Sequence, residues 1–285
     1  MIFNSPLRYP GGKGRLSQYV AELMEANGLV GASYAEPYAG GAGVALALLY
    51  REYASHILLN DLNRSVYAFW TAVVTDGEEL CRRIRDCPLD MDEWHRQRQV
   101  QKASAPDVID LAFSTLFMNR TNRSGVVKGG VIGGVGQTGP WKIDARFNRD
   151  DLVRRVEKIN SYASRITVTG HDALEFLGQH LPPLNVPTLV YLDPPYFKKA
   201  EKLYDNHYGV SDHAELAGAV RRISHRWIVS YDNQPEVRDL YADYVQEEFG
   251  ILYSAGPVAR GREVMIFGPG VCRPREITTW RGLAA

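Results

Sequence analysis

Two stretches of the chain carry residues whose types and spacing could do chemistry. The first, Leu189 to Tyr196, reads LVYLDPPY, so that a short strand-forming run ends in an acid, two prolines and an exposed aromatic. Neither proline offers a backbone N–H and both fix φ, so ladder pairing cannot continue through them. The chain must stop at the edge of a sheet and present Asp193 and Tyr196 there on a stiff turn. The second stretch, Ala35 to Leu46, reads AEPYAGGAGVAL. Its glycines fall where a strand turns into a helix, which lets backbone approach a ligand closely at the helix N-terminus. A nucleotide-type cofactor is the natural guest.

Two better-known nucleotide motifs are excluded. A dinucleotide fingerprint started at Gly41 requires glycine at position 46, where Leu46 stands. A phosphate loop read on YPGGKG requires Ser or Thr after Lys13, which is followed by Gly14, and glycine where Leu7 stands. Lys13 can still offer positive charge to a carboxylate-bearing ligand, or be a solvated turn residue. Asp61 closes a second strand, where an acid can accept hydrogen bonds from a ribose, yet NDLNRS reads equally as a turn or helix cap. Asp172, after the strand RITVTG, carries the same two readings.

The elements that must position these residues alternate at both ends of the chain. Strands near residues 34–38 and 55–60 flank the small-residue helix GAGVALALLYREY, and after residue 160 the strand and helix signals resume. A parallel, doubly wound α/β sheet is the architecture such alternation predicts. Residues 64–150 interrupt it with polar amphipathic helices and then a glycine-rich run that permits tight turns or a hairpin. The expected division is therefore a domain formed by residues 1–63 and 151–285, with 64–150 inserted. Between Phe117 and Arg149 six basic residues face one acid, Asp144. Asn119, Thr121, Asn122, Ser124 and Gln137 are interleaved with them, a composition suited to phosphates and base edges, so this segment is the expected nucleic-acid contact.

Composition bounds the rest. Lysine plus arginine equal aspartate plus glutamate at 33 each, which argues against coating nucleic acid by bulk charge and requires a local patch. Cys81, Cys87 and Cys272 form no C-x-x-C pair, so neither a disulfide framework nor a cysteine zinc site is expected. No apolar run suggests a membrane span and Met1 to Lys13 does not read as a signal peptide, so a soluble, cytoplasmic protein is expected. His171, His207 and His213 read as capping or surface residues, and the five tryptophans as packing.

Taken in order, RYPGGK, EPYAGGAGVAL, NDLN, FMNRTNRSG, DARFN, TGHDALEFL and LDPPY resemble the Dam-like (D12 class) DNA adenine N6-methyltransferases. The resemblance spans about residue 5 to 200, with a looser likeness in YGVSDHAELA, WIVSYDN and GREVMIFG. It implies a Rossmann-like sheet that binds S-adenosyl-L-methionine, a mainly helical inserted DNA-recognition domain with a basic glycine-rich hairpin, and double-stranded DNA as partner. Tyr9 and Lys13 would lie along the cofactor, Lys13 near its carboxylate. Glu36, Tyr38, Gly40, Gly41 and Gly43 would shape its pocket, Asp61 would hold the ribose and Asp172 the adenine end. Arg120, Asn122 and Arg123, with Lys128 and Arg146, would contact DNA. A cognate restriction endonuclease is compatible with the family, as is an unpaired role.

For an adenine amino group the tetrad makes chemical sense. That nitrogen's lone pair is conjugated into the ring and must be localised before it can accept a methyl group. The Asp193 carboxylate and the Pro194 carbonyl, aimed by the rigid turn through Pro195, are two acceptors that strengthen as the nitrogen becomes positive. Tyr196 offers a stacking face for a base flipped out of the duplex. No metal is required by this chemistry, and no cluster of metal ligands is evident in the sequence. A methyltransferase acting on RNA or on cytosine N4, or a catalytically silent DNA-binding relative, are the rival readings.

Overall fold

In the computed structural model the described residues are 4–8, 13–197, 208–253, 259–274 and 277. Seven strands form one sheet: β1 Ala32–Glu36, β2 Ala54–Asn60, β3 Ile166–Thr169, β4 Thr188–Leu192, β5 Arg226–Asp232, β6 Val245–Tyr253 and β7 Ala259–Phe267, in the order β3-β2-β1-β4-β5-β7-β6. The first five are parallel neighbours, and β7 enters antiparallel between β5 and β6. Strand order reverses between β1 and β4. A crevice opens beyond the carboxyl ends of strands at such a reversal, and this is where open α/β sheets hold ligands.

Successive residues of each central strand serve opposite faces, as the two-residue period requires. Tyr34, Ile57, Leu59, Leu189, Tyr191 and Ile228 join one apolar cluster, while Ala35, Leu58, Val190, Leu192, Trp227 and Val229 join the other. On the first face lie α1 (Ser17–Ala26), α2 (Gly43–Tyr50) and α3 (Arg64–Thr75); on the second, α8 (Ala173–Glu175), which runs into a π turn at Phe176–His180, α9 (Val210–Val220) and α10 (Pro235–Leu240). Burial on both faces explains why β1 and β4 are buried at every position and do not alternate.

The insertion between β2 and β3 comprises α3, α4 (Gly77–Asp86), α5 (Met91–Lys102), α6 (Val108–Thr121), a long loop and α7 (Arg149–Asn160). Asn63, Asp90, Asp107 and Asn148 cap α3, α5, α6 and α7 with side-chain acceptors. The boundary expected at residue 150 falls inside α7. Leu152, Val156 and Ile159 of that helix share one cluster with Phe113 and Phe117 of α6 and Leu46 of α2, so the insertion has no core separate from the sheet's.

The expected glycine-rich hairpin is absent. Within residues 122–147 the β pairing is a single bridge, Asn122 to Val131. Ser124, Gly125, Gly133, Gly134 and Gln137 adopt positive φ, which breaks any extended run into turns. Side chains then organise the segment: Gln137 Nε2 donates to the carbonyls of Ile132 and Gly134, and its Oε1 accepts from the Ile143 N–H.

Candidate active site

Asp193 leaves the sheet where β4 ends, and β5 fixes the turn that follows. Ser230 Oγ donates to Asp193 Oδ1 at 2.6 Å and is itself 2.9 Å from the Tyr191 hydroxyl, while Asp232 Oδ1 accepts from the Phe197 N–H at 2.9 Å. Ser230 and Asp232 are two residues apart and therefore on one face of β5. Both ends of the DPPY turn are thus pinned by the neighbouring strand as well as stiffened by Pro194 and Pro195.

Lys13 is buried beside this turn. Its Nζ lies 3.2 Å from Asp193 Oδ1 and 2.9 Å from both carboxylate oxygens of Glu263, and it donates to the Tyr196 hydroxyl at 3.0 Å. Tyr196 donates to Glu263 Oε1 at 2.6 Å, and the ammonium sits 5.1 Å from the centre of its ring. Burial alone would lower the Lys13 pKa, but the carboxylates of Asp193 and Glu263 outweigh it and hold the lysine charged. For Asp193 burial pushes the carboxyl upward, Lys13 pulls against it and Glu263 adds to the rise. Among the described residues both partners of Asp193 engage Oδ1; its side chain is 27% exposed against 3% for Lys13 and 0% for Glu263. Oδ2 is the oxygen of Asp193 that neither of these partners engages.

Two expectations are corrected here. Tyr196 is not an exposed aromatic: it is 2% exposed because its hydroxyl is tied to Glu263 and Lys13. Lys13 points at the acid of the tetrad and not at a cofactor carboxylate, because two buried anions hold it.

The glycine loop is held as firmly. Asp61 Oδ2 accepts from the Gly40 N–H at 2.8 Å and its Oδ1 from the Asn63 N–H at 2.9 Å, and the Trp70 indole donates to the Gly40 carbonyl at 2.9 Å. Gly40 has φ +46°, followed by Ala42 at +47°, so the loop turns through the left-handed region before α2 begins. Half-buried Gly41 lies between them, and a Cβ on Gly43 would sit 3.2 Å from the Gly14 Cα, so the turn carrying Lys13 packs glycine against glycine on the start of α2. Glu36 is buried under the loop, where its Oε1 accepts from the Tyr34 hydroxyl and the Ala45 N–H, both at 3.1 Å. Burial raises Glu36 to about 8 and Asp61 to about 6. Tyr38 contacts the Tyr208 hydroxyl at 2.9 Å. Asp172 caps α8 through the Leu174 N–H. Tyr9 and His207 lie outside the described residues.

The residues expected to contact DNA divide into two groups. Arg123, Lys128 and Arg146 are exposed on the loop. Arg120 and Asn122 are corrected to scaffold: Arg120 is buried and donates to the Pro6 carbonyl, while Asn122 is fully buried, accepts from the Trp94 indole at 2.8 Å and donates to the Val126 and Val127 carbonyls. The reason is that buried carbonyls need donors: those of the loop's turns take Asn122, and that of Pro6 in the N-terminal segment takes Arg120. Asn119 does the same for the N-terminal segment, bonding both the N–H and the carbonyl of Arg8.

Other side chains also depart from expectation. Trp141 is 72% exposed on the loop, whereas Trp70, Trp94 and Trp227 are buried as packing requires and Trp280 lies outside the described residues. His213 is buried, not superficial, with Nδ1 2.9 Å from the Tyr231 hydroxyl. The fold also gathers His171, Glu175 and His180, a trio of metal-ligating types that the sequence did not reveal; a His171–Glu175 contact of 3.2 Å and a His171–His180 ring stack at 4.0 Å hold it together. Ser230, Asp232 and Glu263 were missed. The available signal was polar side chains inside strands otherwise apolar, WIVSYD and REVMIF.

A family model described as D12 class N6 adenine-specific DNA methyltransferase matches residues 9–255. No curated protein sequence matches the chain. Among solved structures, a candidate RNA methyltransferase from Pyrococcus horikoshii aligns over 92% of this chain and 84% of its own, at 11% identity and a TM-score of 0.43. The rRNA methyltransferase AviRa from Streptomyces viridochromogenes aligns over 91% and 85%, at 12% identity and a TM-score of 0.40.

Proposed function

The chain belongs to the D12 class N6 adenine-specific DNA methyltransferases, and from that premise we propose that it transfers a methyl group from S-adenosyl-L-methionine to the exocyclic amine of an adenine flipped out of duplex DNA. The observation that carries the reading is the state of Asp193. Its Oδ1 is engaged by Ser230 and Lys13 at the carboxyl end of β4, beside the reversal of strand order between β1 and β4, so Oδ2 would be the oxygen offered to a ligand. Oδ2 and the neighbouring Pro194 carbonyl are the pair that would accept the two amino hydrogens and localise the nitrogen lone pair. Because both acceptors gain strength as positive charge develops on that nitrogen, they favour the transition state over the bound base.

The cofactor would occupy the same end of the sheet. Half-buried Gly41 in the left-handed loop is where backbone would meet a ligand near the start of α2, and Asp61, raised to about 6, would hold the ribose beside it. Tyr38 would bound the pocket on one side and Asp172 on the other. When bound, S-adenosyl-L-methionine supplies an electrophilic methyl on a sulfonium, so the chain needs to provide only position and acceptors. DNA would lie along the exposed edge of the loop, where Arg123, Lys128 and Arg146 would meet phosphates and Trp141 would offer a stacking face.

Expression in a host lacking adenine methylation, followed by sequencing that detects N6-methyladenine directly, tests the reading. Methylation at one short motif is expected, and Asp193→Ala should abolish it, a loss of at least about 10²-fold, while leaving DNA binding intact. Full turnover in Asp193→Ala would remove the tetrad from the mechanism, and methylation confined to RNA would replace the substrate.

A further inference from the structure

Glu263 belongs to β7, seventy residues beyond the tetrad, yet its carboxylate is fully buried against it. Cross-strand register places Glu263 opposite Asp232 and Met265 opposite Ser230. A single patch of the β5–β7 pair therefore delivers three polar groups to the DPPY turn: Ser230 to Asp193, Asp232 to the Phe197 N–H, and Glu263 to Lys13 and Tyr196.

A charge count gives Glu263 its meaning. Lys13, held charged, lies between the carboxyl groups of Asp193 and Glu263, so among the described residues this buried group counts two acids against one base. Without Glu263 the lysine would have Asp193 as its one carboxylate partner and the count would be even. An acceptor neutralised in that way loses most of its attraction for a nitrogen that becomes cationic in the transition state. Glu263 also accepts from the Tyr196 hydroxyl, which fixes the ring beside the acceptors.

We propose that Glu263 is a positioning residue for methyl transfer: by taking up the charge of Lys13 it keeps Asp193 an effective anionic acceptor, and by holding the Tyr196 hydroxyl it fixes the end of the DPPY turn. The proposal rests on the methyltransferase reading above. Groups that face Asp193 from the surrounding elements are Lys13 before α1, Glu36 and Tyr34 on β1, Tyr191 on β4, Tyr231 on β5 and Glu263 on β7. Of these, Glu263 is the anion bonded to the same lysine as Asp193.

The test is single-turnover methylation of duplex DNA across pH, with cofactor affinity measured in parallel. Glu263→Gln should lower the plateau rate by about 10²-fold at unchanged cofactor affinity. Because the Glu263 charge raises the Asp193 pKa, its removal should move the acidic limb of the profile to lower pH. Should Glu263→Gln fail to fold, Lys13→Met and Lys13→Met/Glu263→Gln give the same comparison with the buried cation removed. The acidic limb should rise in Lys13→Met and fall back in the double variant. An unmoved acidic limb in these comparisons would overturn the proposal. Absence of adenine methylation by the wild-type protein would instead overturn the reading on which it rests.

Discussion

Ser230 reaches Asp193 through a hydroxyl that Tyr191 holds in turn, so the orientation of the acid depends on a relay of two neutral groups. A hydrogen bond to a charged group is worth about 1.5–3 kcal/mol. Ser230→Ala should therefore slow methyl transfer by roughly 10- to 100-fold, as about 1.4 kcal/mol corresponds to tenfold in rate. Cofactor titration should show the same affinity as wild type, since Ser230 touches nothing in the glycine loop. A matched loss of cofactor binding would place Ser230 in general packing and not in aiming the acid. At this scale the sequence disclosed the local part of the site: prolines stiffen Asp193 wherever they occur, and that can be read from four consecutive residues. It did not disclose Ser230, Asp232 or Glu263, because their meaning comes from register between strands far apart in the chain.

At the scale of elements, the loop from Pro37 to Gly43 is held from outside by Asp61, which accepts two backbone N–H groups on different oxygens. Asp61→Asn would turn one of those oxygens into an amide facing an N–H, donor against donor. The loop should relax and cofactor affinity should fall by roughly tenfold, about the value of one such hydrogen bond to a charged group. Isothermal titration with cofactor alone measures this, and unchanged affinity would mean that the loop keeps its shape without its tether. The strand-loop-helix unit around β1 and α2 was legible because glycine spacing and the run of apolar residues are local signals. The glycine-rich segment of the insertion was not, since glycines license a hairpin and a chain of turns alike. Burying Asn119 and Asn122 favoured the turns, because their side chains satisfy the carbonyls of Gly125, Val126 and Val127.

For the molecule as a whole, one buried acid couples stability to pH. Burial lifts Glu36 from an ordinary 4.5 to about 8, so between those values the unfolded chain gives up a proton that the folded chain keeps. The unfolded state is favoured progressively across that window, and the effect levels off above it. At roughly 1.4 kcal/mol per unit the loss amounts to a few kcal/mol at most. Glu36→Gln retains an oxygen that can accept from Tyr34 and Ala45 and has no proton to lose. The difference in Tm between variant and wild type should therefore move in favour of the variant from pH 5 to pH 8, in protein free of cofactor. A difference that stays constant would show that Glu36 is charged in the folded state. The doubly wound sheet was legible from the alternation of strand and helix signals. The extent of the insertion was not, because α7 carries the same amphipathic pattern as the helices before it and is assigned by what it packs against.

The position of β7 has a consequence for synthesis. Strand β6 is translated before β7 yet pairs with nothing else in the sheet, and β7 lies between it and β5. A nascent chain that has emerged through β6 therefore has an open edge at β5, an unpaired β6, and Lys13 and Tyr196 without their shared carboxylate. The DPPY turn exists by then, but its charge balance does not. On the role proposed for Glu263, a fragment that already holds the glycine loop and the tetrad but lacks β7 would methylate no better than Glu263→Gln.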